Sequence, residues 1–91
     1  MALLDLLGRR WTLRILWELR DGPVGFRDLQ ARCDAMSPSV LHQRLNELEE
    51  HQLAERAASG AWTLTVQGRE LIRIAQPLAR WSETWAAALR R

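Results

Sequence analysis

The sequence predicts a mainly α-helical domain with one small β-hairpin, and three observations carry that expectation. Leu41, Leu45 and Leu48 recur at steps of four and three behind Ser37-Pro38, which marks an amphipathic helix with a defined start. Leu53–Ala58 and Ala61–Thr65 alternate on either side of Ser59-Gly60, the pattern of two short strands joined by a tight turn. Apolar residues then return at helical spacing from Val66 to Leu89, with Pro77 in their midst.

The elements follow in order. Leu3 to Arg20 is a helix candidate interrupted by Gly8, with Trp11, Ile15, Leu16 and Leu19 as its buried stripe and Arg9, Arg10, Arg14 and Glu18 mostly outside. Asp21-Gly22-Pro23 stops it. A second helix, Phe26 to Cys33, buries Phe26, Leu29 and Cys33 and exposes Arg27, Asp28, Gln30 and Arg32. Asp34-Ala35-Met36 then makes a short link without the glycine often found in such turns.

Ser37 is suited to the cap of the third helix, since its hydroxyl can accept from an orphan backbone N–H, and Pro38 fits the first helical position. Opposite the leucine stripe, Ser39, His42, Gln43 and Asn46 share a face without fixed charge. Residues 26–51 thus have the outline of a helix-turn-helix. Thr65 caps a further helix from Val66, with Leu71, Ile72 and Ala75 as its apolar group, which Pro77 is expected to bend or break. A last helix from about Leu78 to Leu89 sets Trp81 and Trp85 one turn apart, and Leu78 and Leu89 extend that stripe.

Composition narrows the function. A chain of 91 residues makes one domain and buries only roughly 60–65% of its unfolded surface. With 47% hydrophobic residues and five Trp, it carries more apolar surface than one small core hides, so self-association is expected. No apolar run approaches the roughly 20 residues of a membrane span, and no signal peptide is evident at the N-terminus. A lone Cys cannot build a disulfide framework, so a cytoplasmic setting is expected.

The net charge is +2, and every basic residue is Arg. Arg27, Arg32, Arg44 and Arg56 face Asp28, Asp34, Glu47, Glu49, Glu50 and Glu55, which leaves the helix-turn-helix segment at −2. The excess of cations lies in the flanking segments. Enzymatic chemistry finds little support: without Lys or Tyr there is no P-loop lysine, Schiff-base lysine or phenolic acid. His42 and His51, nine residues apart, fall on opposite sides of one helix and cannot share a metal, and no cofactor motif is present.

An uncharged face of Ser, His, Gln and Asn can donate to and accept from base edges, Gln and Asn matching adenine bidentately in the major groove. Its plainer reading is the solvated side of an amphipathic helix. LLGRRWTLRILWEL, DGPVGFRDL, SPSVLHQRLNELEEHQLAER and LTVQGREL together resemble the HxlR-type winged helix-turn-helix regulators, relatives of the MarR group, over almost the whole chain. That resemblance implies a homodimer held by terminal helices about 66–90, a recognition helix in each major groove of a palindromic site, and a hairpin wing, about 54–65, near the minor groove. It also implies transcriptional repression or activation, with some members sensing electrophiles or oxidants.

Ser37, Pro38, Gln43 and Arg44 agree with the family's recognition-helix pattern, whereas Ser39 and Asn46 replace a usual basic residue and His42 a small hydroxyl residue. The expected contacts to double-stranded DNA are Arg27, Ser37, Ser39, His42, Gln43, Arg44, Asn46 and Arg56. Residues 1–7 lack the cysteine of thiol-sensing members, and Cys33 stands where an aliphatic core residue is usual. Trp17, Leu78, Trp81, Trp85 and Leu89 are expected either to pack a dimer seam or to line a slot for a flat, apolar effector. The competing functional reading is a winged-helix dimer specialised for ligand or protein binding, with weak DNA binding or none.

Overall fold

The computed structural model describes residues 2–90 and orders them as α1 (Ala2–Leu7), α2 (Thr12–Glu18), α3 (Phe26–Arg32), α4 (Pro38–Glu50), β1 (Ala54–Arg56), β2 (Trp62–Leu64) and α5 (Val66–Leu89). The expected interruption at Gly8 is a full turn that separates two helices. It closes with Gly8 N–H on the Leu4 carbonyl at 2.8 Å and Arg9 N–H on that of Leu6 at 3.2 Å, and it delivers Trp11 in a left-handed conformation, φ 79°. The break expected at Pro77 does not occur, and a single 24-residue helix replaces the two predicted ones. Proline removes one N–H, but the carbonyl it would have met belongs to Arg73, and both residues are exposed, so water can satisfy it.

The core is built where the stripes converge. Ile15, Leu16 and Leu19 of α2 and its end meet Leu29 of α3, Leu41, Leu45 and Leu48 of α4, and Trp62 and Leu64 of β2, all nearly inaccessible to water. The strands pair antiparallel with Ala54 opposite Leu64 and Arg56 opposite Trp62. Val24 adds a one-residue bridge on the other side of β2, exchanging both backbone bonds with Trp62 at 2.8 and 2.9 Å. Thr12 is the one buried polar residue among those described, and its hydroxyl has no partner there.

Two joints set the angles between elements. At the end of α4, Leu53 N–H returns to the Leu48 carbonyl at 2.9 Å and Gln52 N–H to that of Glu49 at 3.0 Å, with Gln52 left-handed at φ 59°. This Schellman closure turns the chain straight into the hairpin. At the start of α5, Thr65 Oγ1 donates to the Gln52 carbonyl at 2.6 Å and accepts from Gly68 N–H at 3.0 Å. Gly68 has to be glycine here, because a Cβ would lie 2.0 Å from the Leu53 carbonyl oxygen. Beyond Ile72 the helix runs clear of the core, with Ile74, Leu78, Trp81, Trp85 and Leu89 exposed.

Candidate nucleic-acid interface

The turn into α4 is made without glycine. Asp34 and Ala35 both take left-handed conformations, φ 58° and 55°, closed by Ala35 N–H on the Gln30 carbonyl at 2.9 Å and by Gln30 Nε2 on the Met36 carbonyl at 2.8 Å. Ser37 then caps the helix, its hydroxyl accepting from Val40 N–H at 3.2 Å and lying 3.1 Å from Ser39 Oγ. Because Leu41, Leu45 and Leu48 are fully buried, the opposite side of α4 must face outward. Ser39, His42, Gln43 and Asn46 are accordingly all exposed.

Each flank of that outward face has its own wall. On one side His42 stacks on Phe26, ring centroids 4.2 Å apart and planes 24° from parallel, so the start of α3 braces the imidazole. On the other side Arg44 departs from its expected role as an outward cation. Its side chain is only 16% exposed, Nε donates to the Arg10 carbonyl at 2.9 Å and Nη1 to Glu47 Oε1 at 3.3 Å. Arg44 therefore ties α4 to the turn between α1 and α2. Sequence spacing placed it beside Gln43 but could not foresee a carbonyl acceptor thirty-four residues earlier.

The same long-range contacts rearrange the charge. Arg9 meets Glu47 at 3.3 Å, and Arg14 reaches Asp34 at 3.9 Å while donating to the Arg32 carbonyl at 2.7 Å. Cations of α2 and of the turn before it thus offset acids of the helix-turn-helix, which the segment-by-segment count left unpaired. The Arg14–Asp34 pair, exposed on both sides, stabilises little, about 0–1 kcal/mol, but both pairs redistribute the local field. Arg27 is exposed at the start of α3. Arg56 is exposed on β1 with its guanidinium 5.2 Å over the Trp62 ring.

The hairpin between the strands is short. Gly60 N–H meets the Ala57 carbonyl at 2.9 Å and Ala57 N–H that of Ala61 at 2.8 Å, with Gly60 at φ 90°, the left-handed closing position of a three-residue loop. Its tip, Ala58 and Ser59, carries no charge.

The residues expected to form one seam or pocket divide into two groups. Trp17 is half-buried under the Arg20 guanidinium, 4.2 Å from its ring, and with Leu13, Ala75, Leu78 and Ala79 it lines an apolar groove of about 360 Å³ between α2 and α5. Trp81 and Trp85 do not line that groove. They stack on each other farther along α5, 5.8 Å apart and 7° from parallel, with Leu89 beyond them. Cys33 is fully buried, as expected of a structural thiol. Burial pushes its pKa up, Arg14 draws it down, and Glu18 and Asp34 add to the rise, an environment that disfavours the reactive thiolate.

A bundle of short helices, a capped outward helix on a tight turn, and a two-stranded wing are the parts of a winged helix-turn-helix. The model of HxlR-like helix-turn-helix proteins matches residues 6–90. The chain belongs to this HxlR-like family. Among relatives, the HTH-type transcriptional regulator YodB of Bacillus subtilis is 32% identical over 87% of this chain and 76% of its own length. An uncharacterized HTH-type transcriptional regulator of Methanocaldococcus jannaschii is 29% identical over 97% of this chain and 86% of its own. The quinone-bound structure of YodB superposes with a TM-score of 0.82 at 32% identity, covering 91% of this chain and 92% of that one. This HxlR-type chain is a DNA-binding transcriptional regulator, and among its described residues no helix is long and apolar enough to cross a membrane.

Proposed function

We propose that the regulator binds as a homodimer to a palindromic DNA site, with the uncharged face of α4 from each copy in successive major grooves. The observation that carries this reading is the exposure of Ser39, His42, Gln43 and Asn46 on one side of a helix whose other side is wholly buried. Gln43 and Asn46 supply bidentate amides to base edges, Ser37 and Ser39 sit at the leading end of the helix, and Arg27 and Arg56 serve phosphates from either side. The acids of the helix-turn-helix oppose this role less than the sequence alone suggests, because Arg9 and Arg14 pair with Glu47 and Asp34. The exposed stripe Ile74, Leu78, Trp81, Trp85 and Leu89 advances by alternating steps of four and three to its last step, the spacing of a helix seam, and joins the two copies. Half-sites then lie about 34–36 Å apart.

Titration against its own promoter region and against random-sequence DNA at several salt concentrations tests this. A DNA-reading dimer prefers the promoter and loses affinity on both as salt rises, by about 0.9 in log–log slope per phosphate neutralised. Equal binding to both, or none to either, would refute it. The groove beneath Trp17 favours an additional reading, in which a flat apolar molecule binds without covalent chemistry and adjusts the dimer. YodB has a quinone-bound form, which supports that class of effector. Calorimetric titration of a simple quinone should give saturable binding that Trp17→Ala removes; binding unaffected by that change would place the ligand elsewhere.

A further inference from the structure

We propose that Arg44 is a positioning residue for DNA binding and that Arg10, which it holds in place, supplies the phosphate-facing cation on that flank of α4; this rests on the DNA-reading role proposed above. The starting point is the commitment of Arg44. Its guanidinium is lodged between the Arg10 carbonyl, 2.9 Å from Nε, and Glu47 Oε1, 3.3 Å from Nη1. Glu47 is itself only 17% exposed, and the same oxygen receives Arg9 at 3.3 Å. Swinging Arg44 out to a phosphate would break both of its bonds and leave a largely buried carboxylate with one partner fewer, which electrostatics disfavours.

What the clasp holds is an unusual piece of backbone. The Arg10 carbonyl belongs to the peptide that leads into Trp11, and Trp11 is left-handed at φ 79°, a conformation that non-glycine residues keep only when their surroundings enforce it. Arg44 supplies that enforcement from the side of α4. In consequence the turn from Gly8 to Trp11 is fastened along the edge of the reading helix next to Gln43. A helix lying in the major groove nearly fills its width, so whatever flanks the helix stands against the phosphate wall.

Of the two cations in that turn, Arg9 is engaged by Glu47. Arg10 is exposed, has no ion pair among the described residues, and rests 5.3 Å over the Trp11 ring, a contact that leaves its N–H groups free. The division of labour follows. Arg44 and Glu47 hold, Arg9 balances, and Arg10 contacts.

Salt-dependent DNA titrations of the full-length dimer carrying Arg10→Ala, Arg44→Ala, Arg44→Lys and the Arg10→Ala/Arg44→Ala pair test this. Arg10→Ala keeps the backbone carbonyl and hence the clasp, so it should fold as wild type and lower the salt slope by about 0.9 per protomer, making the loss of affinity between roughly 50 and 200 mM salt about threefold shallower for each copy. Arg44→Lys retains the charge but lacks the forked donors, so it should behave like Arg44→Ala. The pair should lose one phosphate per protomer and no more, because the effect of Arg44 passes through Arg10. An unchanged slope for Arg10→Ala, full retention of binding by Arg44→Lys, or additive losses in the pair would overturn the proposal. Absence of DNA binding by the wild-type protein would instead remove the reading on which it rests.

Discussion

Helix α4 and the distal half of α5 are both amphipathic, yet they differ in what covers their apolar sides. Leu41, Leu45 and Leu48 are fully enclosed by the chain's own core, whereas Leu78, Trp81 and Trp85 remain more than half exposed. The same periodicity therefore has two outcomes, one stripe buried within the chain and one left exposed by it, which the proposed dimer would cover. Periodicity tells which side of a helix is apolar; it does not tell whether the chain itself covers that side.

The junction between the two regions is the place to break that contrast hardest. Gly68→Ala puts a methyl group into the Leu53 carbonyl, and since both partners are backbone, neither can move aside cheaply. We expect a loss of about 3 kcal/mol or more in denaturant unfolding, with hairpin and helix affected together. A loss below about 1 kcal/mol would show that α5 is not seated rigidly there.

The next effect separates assembly from folding. Trp81→Ala combined with Trp85→Ala should raise the dimer dissociation constant at least thirtyfold in sedimentation, about 2 kcal/mol or more for buried aromatic anchors. The variant should keep its helical circular dichroism, because neither indole belongs to the buried core. A dimer of unchanged affinity would assign the seam to other residues. Smaller again is Gln43→Ala on the opposite side of the molecule, which should cost roughly 1–3 kcal/mol of discrimination between promoter and random DNA while leaving the fold intact. An equal loss on every sequence would take Gln43 off the bases. The smallest change is a gain: Thr12→Val removes a buried hydroxyl without a partner among the described residues and should stabilise by about 1 kcal/mol, a few degrees in melting temperature. Destabilisation would reveal a hydrogen bond for that hydroxyl in solution.

Local chemistry was legible from the residues themselves. Ser37-Pro38 announced a helix start, the leucine steps announced its buried side, and Ser59-Gly60 announced the hairpin, since each depends only on neighbours a few positions away. What escaped notice depends on distant partners. Val24 pairs with Trp62 through a single residue, too short to leave a period. Arg44 read as an outward cation because nothing nearby in sequence reveals the Arg10 carbonyl that captures it. The charge of the helix-turn-helix was counted along the chain, while Arg9 and Arg14 act across space. Pro77 misled for a related reason: its effect on a helix depends on whether the abandoned carbonyl is open to water, a property of the tertiary structure.

The unbroken α5 has one more implication. A helix of 24 residues is about 36 Å long, with its near end tied to the base of the wing and its far end in the exposed apolar stripe. In the proposed dimer it would act as a lever: a tilt of about 5° at the far end, transmitted along the helix, would carry the near end through about 3 Å, comparable with the rise of one base pair. If two copies join through that stripe as proposed, small adjustments at their contact would be enough to change whether both heads stay in step with the duplex.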